Sequence, residues 1–222
     1  MSNTALSKRL RAETKGLHSA AERAGLMPAL LRGELALHRY CALLRNLHAL
    51  YVAMESALTH HEAHADVAPA VFPALFRQAS LADDLAVLHG PGWAEHIALQ
   101  PATQAYIAHL QAIDTTQPAM LVAHAYVRYL GDLSGGQMLR QIVVRTYRLA
   151  TDEGSRFYGF GDSAAVQAHL QAFRAGLAAL AAPPERIDAL VAEARAAFGR
   201  HVDLFVELGA APDQALPTKL RI

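Results

Sequence analysis

Apolar residues recur at three- and four-residue spacing along almost the whole chain, while runs of alternating β-branched residues are nearly absent. That spacing puts an apolar stripe on one face of a helix and gives a strand no buried side. The chain therefore reads as all-α. Helices are predicted at about 5–24, 34–60, 73–88, 101–114, 117–150, 163–181 and 184–208. Breaks fall at Gly33, HEAHADVAPAVFP, HGPGW, TTQP, TDEGSRFYGFGD and Pro183-Pro184. With 222 residues, 53% of them apolar, the chain can bury one sizeable core. No internal repeat or linker marks a second domain. Residues 1–222 are expected to form one domain, with a core at about 6–208 and a tail from 209 to 222.

Lys and Arg together number 20, as do Asp and Glu, so no whole-molecule field draws the protein to nucleic acid or an anionic membrane. Neither the opening MSNTALSKRLRAETKGLHS nor the closing ALPTKLRI carries an apolar run. The expectation is a cytoplasmic protein with no membrane anchor. One cysteine, Cys41, excludes an internal disulfide and a cysteine-rich metal site.

Within the predicted helix over 117–150, residues 131–137 read GDLSGGQ. A glycine inside a helix costs about 1 kcal/mol relative to alanine, so three of them need an offsetting gain. The string LSGGQ also occurs in ABC-type ATPases. Those require a G-x-x-x-x-G-K-[ST] phosphate loop, and this chain has no Gly-Lys dipeptide and no strand-turn-helix alternation. Gly131 and Gly135, four residues apart, instead leave one helix face almost bare of side chains. Such a face suits either close helix packing or close approach to a flat ligand, with a bend near Ser134.

On the first helix, Leu6, Leu10, Leu17, Ala21 and Ala24 form the apolar stripe. Beside it run Arg11, Lys15, His18 and Glu22. Two cations, an imidazole and a carboxylate on one edge suit a planar metal macrocycle with acidic substituents. Glu22, one turn after His18, can accept the imidazole N–H not used for a metal. The competing reading is a solvated face with i,i+4 pairs.

LSKRLRAETKGLHSAAE, YVAMES, HGPGW, AHAYVRYLGDLSGGQ and ARAAFGRHVDLFVEL together resemble the heme oxygenase family, in the same order over most of the chain. The resemblance implies an all-α fold with heme between the first helix and a kinked, glycine-rich distal helix. It implies His18 as the iron ligand, with Glu22 as its hydrogen-bonding partner. Gly131 and Gly135 are implied on the distal face, with Asp132 organising water beside bound oxygen. Tyr51, Tyr106 and Arg128 match further members of that network. Arg11, Lys15 and Arg174 match cations that neutralise the heme propionates, with Tyr126 nearby. Met27, Phe198 and Phe205 match apolar wall positions. Two positions depart from the family pattern. Leu170, with His169 beside it, stands one turn before Arg174 where a second cation is expected, and His201 stands where an amide is expected.

The activity so implied is cleavage of heme b, both cofactor and substrate, at a meso carbon to biliverdin, carbon monoxide and ferrous iron. It consumes O2 and external electrons, since no flavin, iron-sulfur or nicotinamide motif is present. A soluble redox partner, a ferredoxin or flavin reductase, is expected to dock near Lys15. The alternative is a heme carrier or sensor without turnover. Among the other histidines, His60, His61 and His64 read as a solvated helix end, because H-E-A-H is one residue short of the zinc motif H-E-x-x-H. His124 reads as a satisfied core histidine.

Overall fold

A computed structural model describes residues 3–180 and 182–211; the closing residues 212–222 of the expected tail lie outside the described part. Its helices are α1 (Asn3–Glu22), α2 (Met27–Arg32), α3 (Leu37–His60), α4 (Gln78–Leu88), α5 (Trp93–His96), α6 (Pro101–Thr116), α7 (Leu121–Tyr147), α8 (Ser163–Ala179) and α9 (Pro184–Ala210). Short 3-10 turns join several of them, and no strand occurs among the described residues. The seven predicted helices are present, and two short ones, α2 and α5, come in addition. Pro28 opens α2, and Gly33 closes it in the left-handed region at φ 72°.

The predicted helix over 73–88 is divided. Pro73–Leu75 forms a 3-10 turn, Phe76 is extended, and α4 begins only at Gln78. The cause lies on another helix. The buried Glu55 carboxylate of α3 accepts the backbone N–H groups of Arg77 (2.6 Å) and Gln78 (3.2 Å), doing the work of an N-cap from outside α4. Burial pushes the Glu55 carboxyl up to about 7 against the pull of those donors.

Every residue from Leu121 to Val127 is buried, so the first two turns of α7 are enclosed on all sides. Helices α3, α6, α8 and α9 surround α7, while α1 packs along α9 and α8. Ion pairs Arg9–Asp188 and Glu13–Arg195 (3.6 Å) link α1 to α9. Just past the other end of α1, Gly25 (φ 49°) lies so close to α9 that a Cβ there would stand 1.7 Å from the Phe205 carbonyl oxygen. The Leu26 N–H donates to that same oxygen at 3.2 Å. Only glycine meets both demands.

Candidate functional site

Between α1 and α7 lies a cleft of ≈ 890 Å³, continuous with a recess of ≈ 130 Å³ through shared walls at His18, Val127, Gly131 and Phe198. This size suits a cofactor-sized ligand. Lys8, Arg11 and Lys15 of α1 and Arg174 of α8 edge the wider part. None of the four is paired with a carboxylate among the described residues. Four uncompensated cations around one mouth create a local demand for anions that the balanced overall charge conceals.

His18 is half exposed, and its Nδ1 lies 3.6 Å from Glu22 Oε1. That contact orients Nδ1 toward the carboxylate and leaves Nε2 available as a donor to a metal. The Phe198 ring meets the imidazole edge-on at 6.3 Å.

Across the cleft, the glycines of α7 divide by role. A Cβ added at Gly131 or Gly135 would meet nothing within 4 Å, so close helix packing does not explain either. Both face the cleft. Gly136 behaves differently, because its Cβ would touch the Tyr158 backbone at 3.6 Å. Two of the three therefore keep a slot clear and the third lets a turn pack. Helix α7 runs through Ser134 unbroken from Leu121 to Tyr147.

Below that slot Asp132 is 8% exposed and both carboxylate oxygens are engaged. Arg128 donates through Nη2 to Oδ1 at 2.8 Å and through Nε to the Tyr51 hydroxyl at 2.9 Å, while Tyr51 donates to Oδ2. Desolvation is the largest influence on the Asp132 carboxyl and holds it above its ordinary value, although the Arg128 charge and the Tyr51 hydrogen bond pull it down. The two donors on its oxygens favour the anion. Burial opposes the Arg128 charge, yet Asp132 and Tyr51 hold that guanidinium above its ordinary value.

Of the residues expected at the site, Arg11, Lys15, Tyr126 and Arg174 line the wide part. Glu22, Met27, Arg128, Asp132, Gly135 and Phe205 line the recess, and His18, Gly131 and Phe198 line both. Tyr51 joins through Asp132. The Tyr106 hydroxyl meets His124 Nδ1 at 2.8 Å, and its ring packs edge-on against His201 of the recess at 5.2 Å. His124, fully buried, also meets Glu193 Oε1 at 3.0 Å through Nε2, so both ring nitrogens are satisfied as expected of a core histidine. Tyr126 is steadied by Thr14, with hydroxyls 3.3 Å apart.

Leu170 belongs to the core at 6% exposure, and neither it nor His169 lines the cleft. The additional cation comes from the facing helix as Lys8, three residues before Arg11. Its place on the same stripe was the signal that could have found it. His201 lines the recess, donates from Nδ1 to the Ala197 carbonyl at 2.8 Å, and leaves Nε2 without a partner among the described residues. Burial, with Arg128 adding to it, lowers its pKa to about 3, so it is a neutral acceptor at any ordinary pH.

Comparison with known proteins agrees with this geometry. The heme oxygenase family model matches residues 4–207. Heme oxygenase 1 of Nostoc sp. is 38% identical over 203 residues, covering 91% of this chain and 85% of that protein. Human heme oxygenase 1 is 37% identical over 205 residues, covering 91% and 71%. The crystal structure of heme oxygenase-1 from Synechocystis sp. in complex with heme superposes with a TM-score of 0.86 at 35% identity, covering 92% of each chain. Heme oxygenase from Leptospira interrogans gives 0.87 at 31% identity, covering 91% of this chain and 98% of that one. With the family model spanning nearly all the described residues and these relatives covered over most of their length, the chain belongs to the heme oxygenase family.

Proposed function

We propose that this protein degrades heme to biliverdin, carbon monoxide and ferrous iron in the cleft between α1 and α7. The observation that carries this is the pair of open glycine positions, Gly131 and Gly135, facing the cleft that His18 lines from α1. A flat ring with a central metal and acidic substituents fits a bare backbone face, a single imidazole donor and a rim of unpaired cations. Heme is the substrate, and its iron, when bound, supplies the dioxygen chemistry.

The chain's own contributions follow from the side chains. His18 offers Nε2 to the metal while Glu22 fixes its tautomer. Lys8, Arg11, Lys15 and Arg174 seat the carboxylates. Phe198 and Phe205 exclude water from the apolar end. Asp132 is fixed by donors from Arg128 and Tyr51, one on each of its oxygens. It acts by orienting donors, and protons reach the site through Tyr51 or through water held on the carboxylate. Electrons come from a soluble partner, a ferredoxin or flavin reductase, attracted by the basic rim. No helix among the described residues is long and apolar enough to cross a membrane, and we place the enzyme in the cytoplasm.

The test adds hemin to purified protein, then a reductant and air. A Soret band that bleaches to a biliverdin spectrum is the expected result; a stable Soret band is the result for a heme carrier and overturns the reading. His18→Ala should weaken hemin binding and abolish turnover until imidazole is added. It should change stability by only about 0.5 kcal/mol, as for surface substitutions.

A further inference from the structure

Far along α3 from the heme cleft, three side chains bring metal-ligating atoms together. His60 is the last residue of α3, His61 caps it, and Asp114 lies in the last turn of α6. His60 Nδ1 stands 3.2 Å and His61 Nε2 2.9 Å from the same oxygen, Asp114 Oδ1; His61 Nε2 also donates to the Asp114 backbone carbonyl at 2.8 Å and gives up that bond, with its proton, on binding a metal. All three atoms fall within 4.8 Å of one another. Ligands bound at about 2.1 Å in a tetrahedral site lie about 3.4 Å apart, so the two measured edges fall a few tenths of an ångström short of those of a site around a small cation. None of the three residues lines the heme cleft.

We propose that His60, His61 and Asp114 form a binding site for a divalent first-row transition-metal ion, independent of the heme site. Two neutral imidazoles and one carboxylate on one side of an ion, with the remaining positions open to water, match the ligand preference of Fe2+, Ni2+ and Zn2+. Hard Mg2+ and Ca2+ prefer oxygen sets. The field supports a cation as well, because the C-terminal ends of α3 and α6 meet here and each carries partial negative charge.

The arrangement is also held in place. His61 lies in a turn closed by the His64 N–H on its carbonyl at 2.9 Å, and the His64 carbonyl accepts from Val67 and Ala68. Asp66, in that turn, is ion-paired to Arg186 of α9. His64 itself is not a ligand. Its Nδ1 accepts the Asp66 N–H at 3.2 Å, which places its proton on Nε2. The other imidazole-carboxylate group, His109, His124 and Glu193, is less suited. His124 is fully buried and has both nitrogens engaged, so a metal would have to break the bond to Tyr106 or Glu193 without reaching solvent.

The test titrates ZnCl2 calorimetrically into the metal-free full chain, with and without hemin. One Zn2+ should bind per chain under both conditions. Affinity should fall at least about tenfold in His60→Ala, His61→Ala and Asp114→Asn, as losing even an outer-shell partner commonly does. His64→Ala and His109→Ala should match the parent. The His60 side chain is 67% exposed, so that variant keeps the fold even if the other two do not. A zinc-induced rise in Tm seen in the parent and missing in His60→Ala gives a second reading. Absence of zinc binding, affinity indifferent to all three ligands, or loss confined to His109→Ala each overturns the site.

Discussion

Arg128 Nη2 stands 2.8 Å from Asp132 Oδ1 across one turn of α7, with the two side chains only 14% and 7% exposed. A buried pair of this kind stabilises little relative to an apolar replacement, but leaving one member alone costs about 3–5 kcal/mol. Its value here is positional. Tyr51 bonds both partners, so the carboxylate cannot rotate without breaking two donors.

Asp132→Asn keeps the volume and replaces one acceptor oxygen by an amide nitrogen. Hemin affinity should stay near the parental value, while the rate of biliverdin formation should fall about 100-fold, the scale of a lost proton-transfer contribution. Asp132→Ala should go further, diverting oxidation toward peroxidase-like products and melting earlier because Arg128 is left uncompensated. Stopped-flow spectra during turnover check both. Biliverdin at the parental rate in either variant removes Asp132 from the chemistry.

The glycines invite a paired substitution. Gly135→Leu meets no protein atom within 4 Å at its Cβ and should fold, but its side chain occupies the slot and should reduce hemin affinity at least about tenfold. Gly136→Ala places a methyl in ordinary contact with Tyr158 and should leave hemin binding unchanged. Its helix should gain up to about 1 kcal/mol. Hemin titration with denaturant melts separates the two roles. Equal hemin affinity in parent and Gly135→Leu contradicts the slot.

Arg174 is the cleft cation on α8, with Lys8, Arg11 and Lys15 all on α1. Removing it leaves three cations on one side and none on the other. Arg174→Ala should therefore weaken hemin binding by no more than about fivefold, the scale of one exposed ion pair. The mixture of biliverdin isomers should broaden, because one constraint on in-plane rotation is gone. Chromatography of the products decides. An unchanged isomer ratio gives the seating to Phe198 and Phe205.

Stability in acid should carry the mark of His201. Burial lowers its pKa to about 3 in the folded protein, below the ordinary 6.5. As pH falls below 6.5 the unfolded chain takes up this proton first. The stability His201 contributes is complete above that pH and is lost progressively toward 3. His201→Gln should lose less stability than the parent by up to about 1.4 kcal/mol per pH unit in that window. Urea melts of both proteins between about pH 6.5 and pH 5 measure it. The subtraction cancels Glu55 and Asp84, whose raised values act in the opposite direction. Parallel pH profiles would refute the assignment.

Helix spacing was legible in the sequence because most helices have one dry face, and a dry face writes itself as a three-to-four period. Helix α2 left no such trace, since six residues span less than two turns. The edge on α1 was legible for the same geometric reason, with positions 11, 15, 18 and 22 fixed relative to one another by the helix alone. What lies across a gap was not. Nothing local tells Gly136, packed on Tyr158, from Gly135 one residue earlier. Leu170 looked like a rim position until α8 was seen to turn it inward. Nor does anything local tell that the Tyr106 hydroxyl bonds His124, eighteen residues away in sequence and on another helix.

The backbone contact of Gly25 with Phe205, together with Arg9–Asp188 and Glu13–Arg195, fastens α1 to α9 at both ends of their overlap. The two helices therefore form one wall of the cleft. His18, the cations of α1, Phe198 and Phe205 all belong to that wall and owe their mutual spacing to the same fastening. Because α9 also packs on α7, the helix that anchors this wall is the one that ties it to the helix carrying Gly131 and Gly135. A flat ring thus meets its metal donor, its anion partners and its bare backbone face as parts of a single frame.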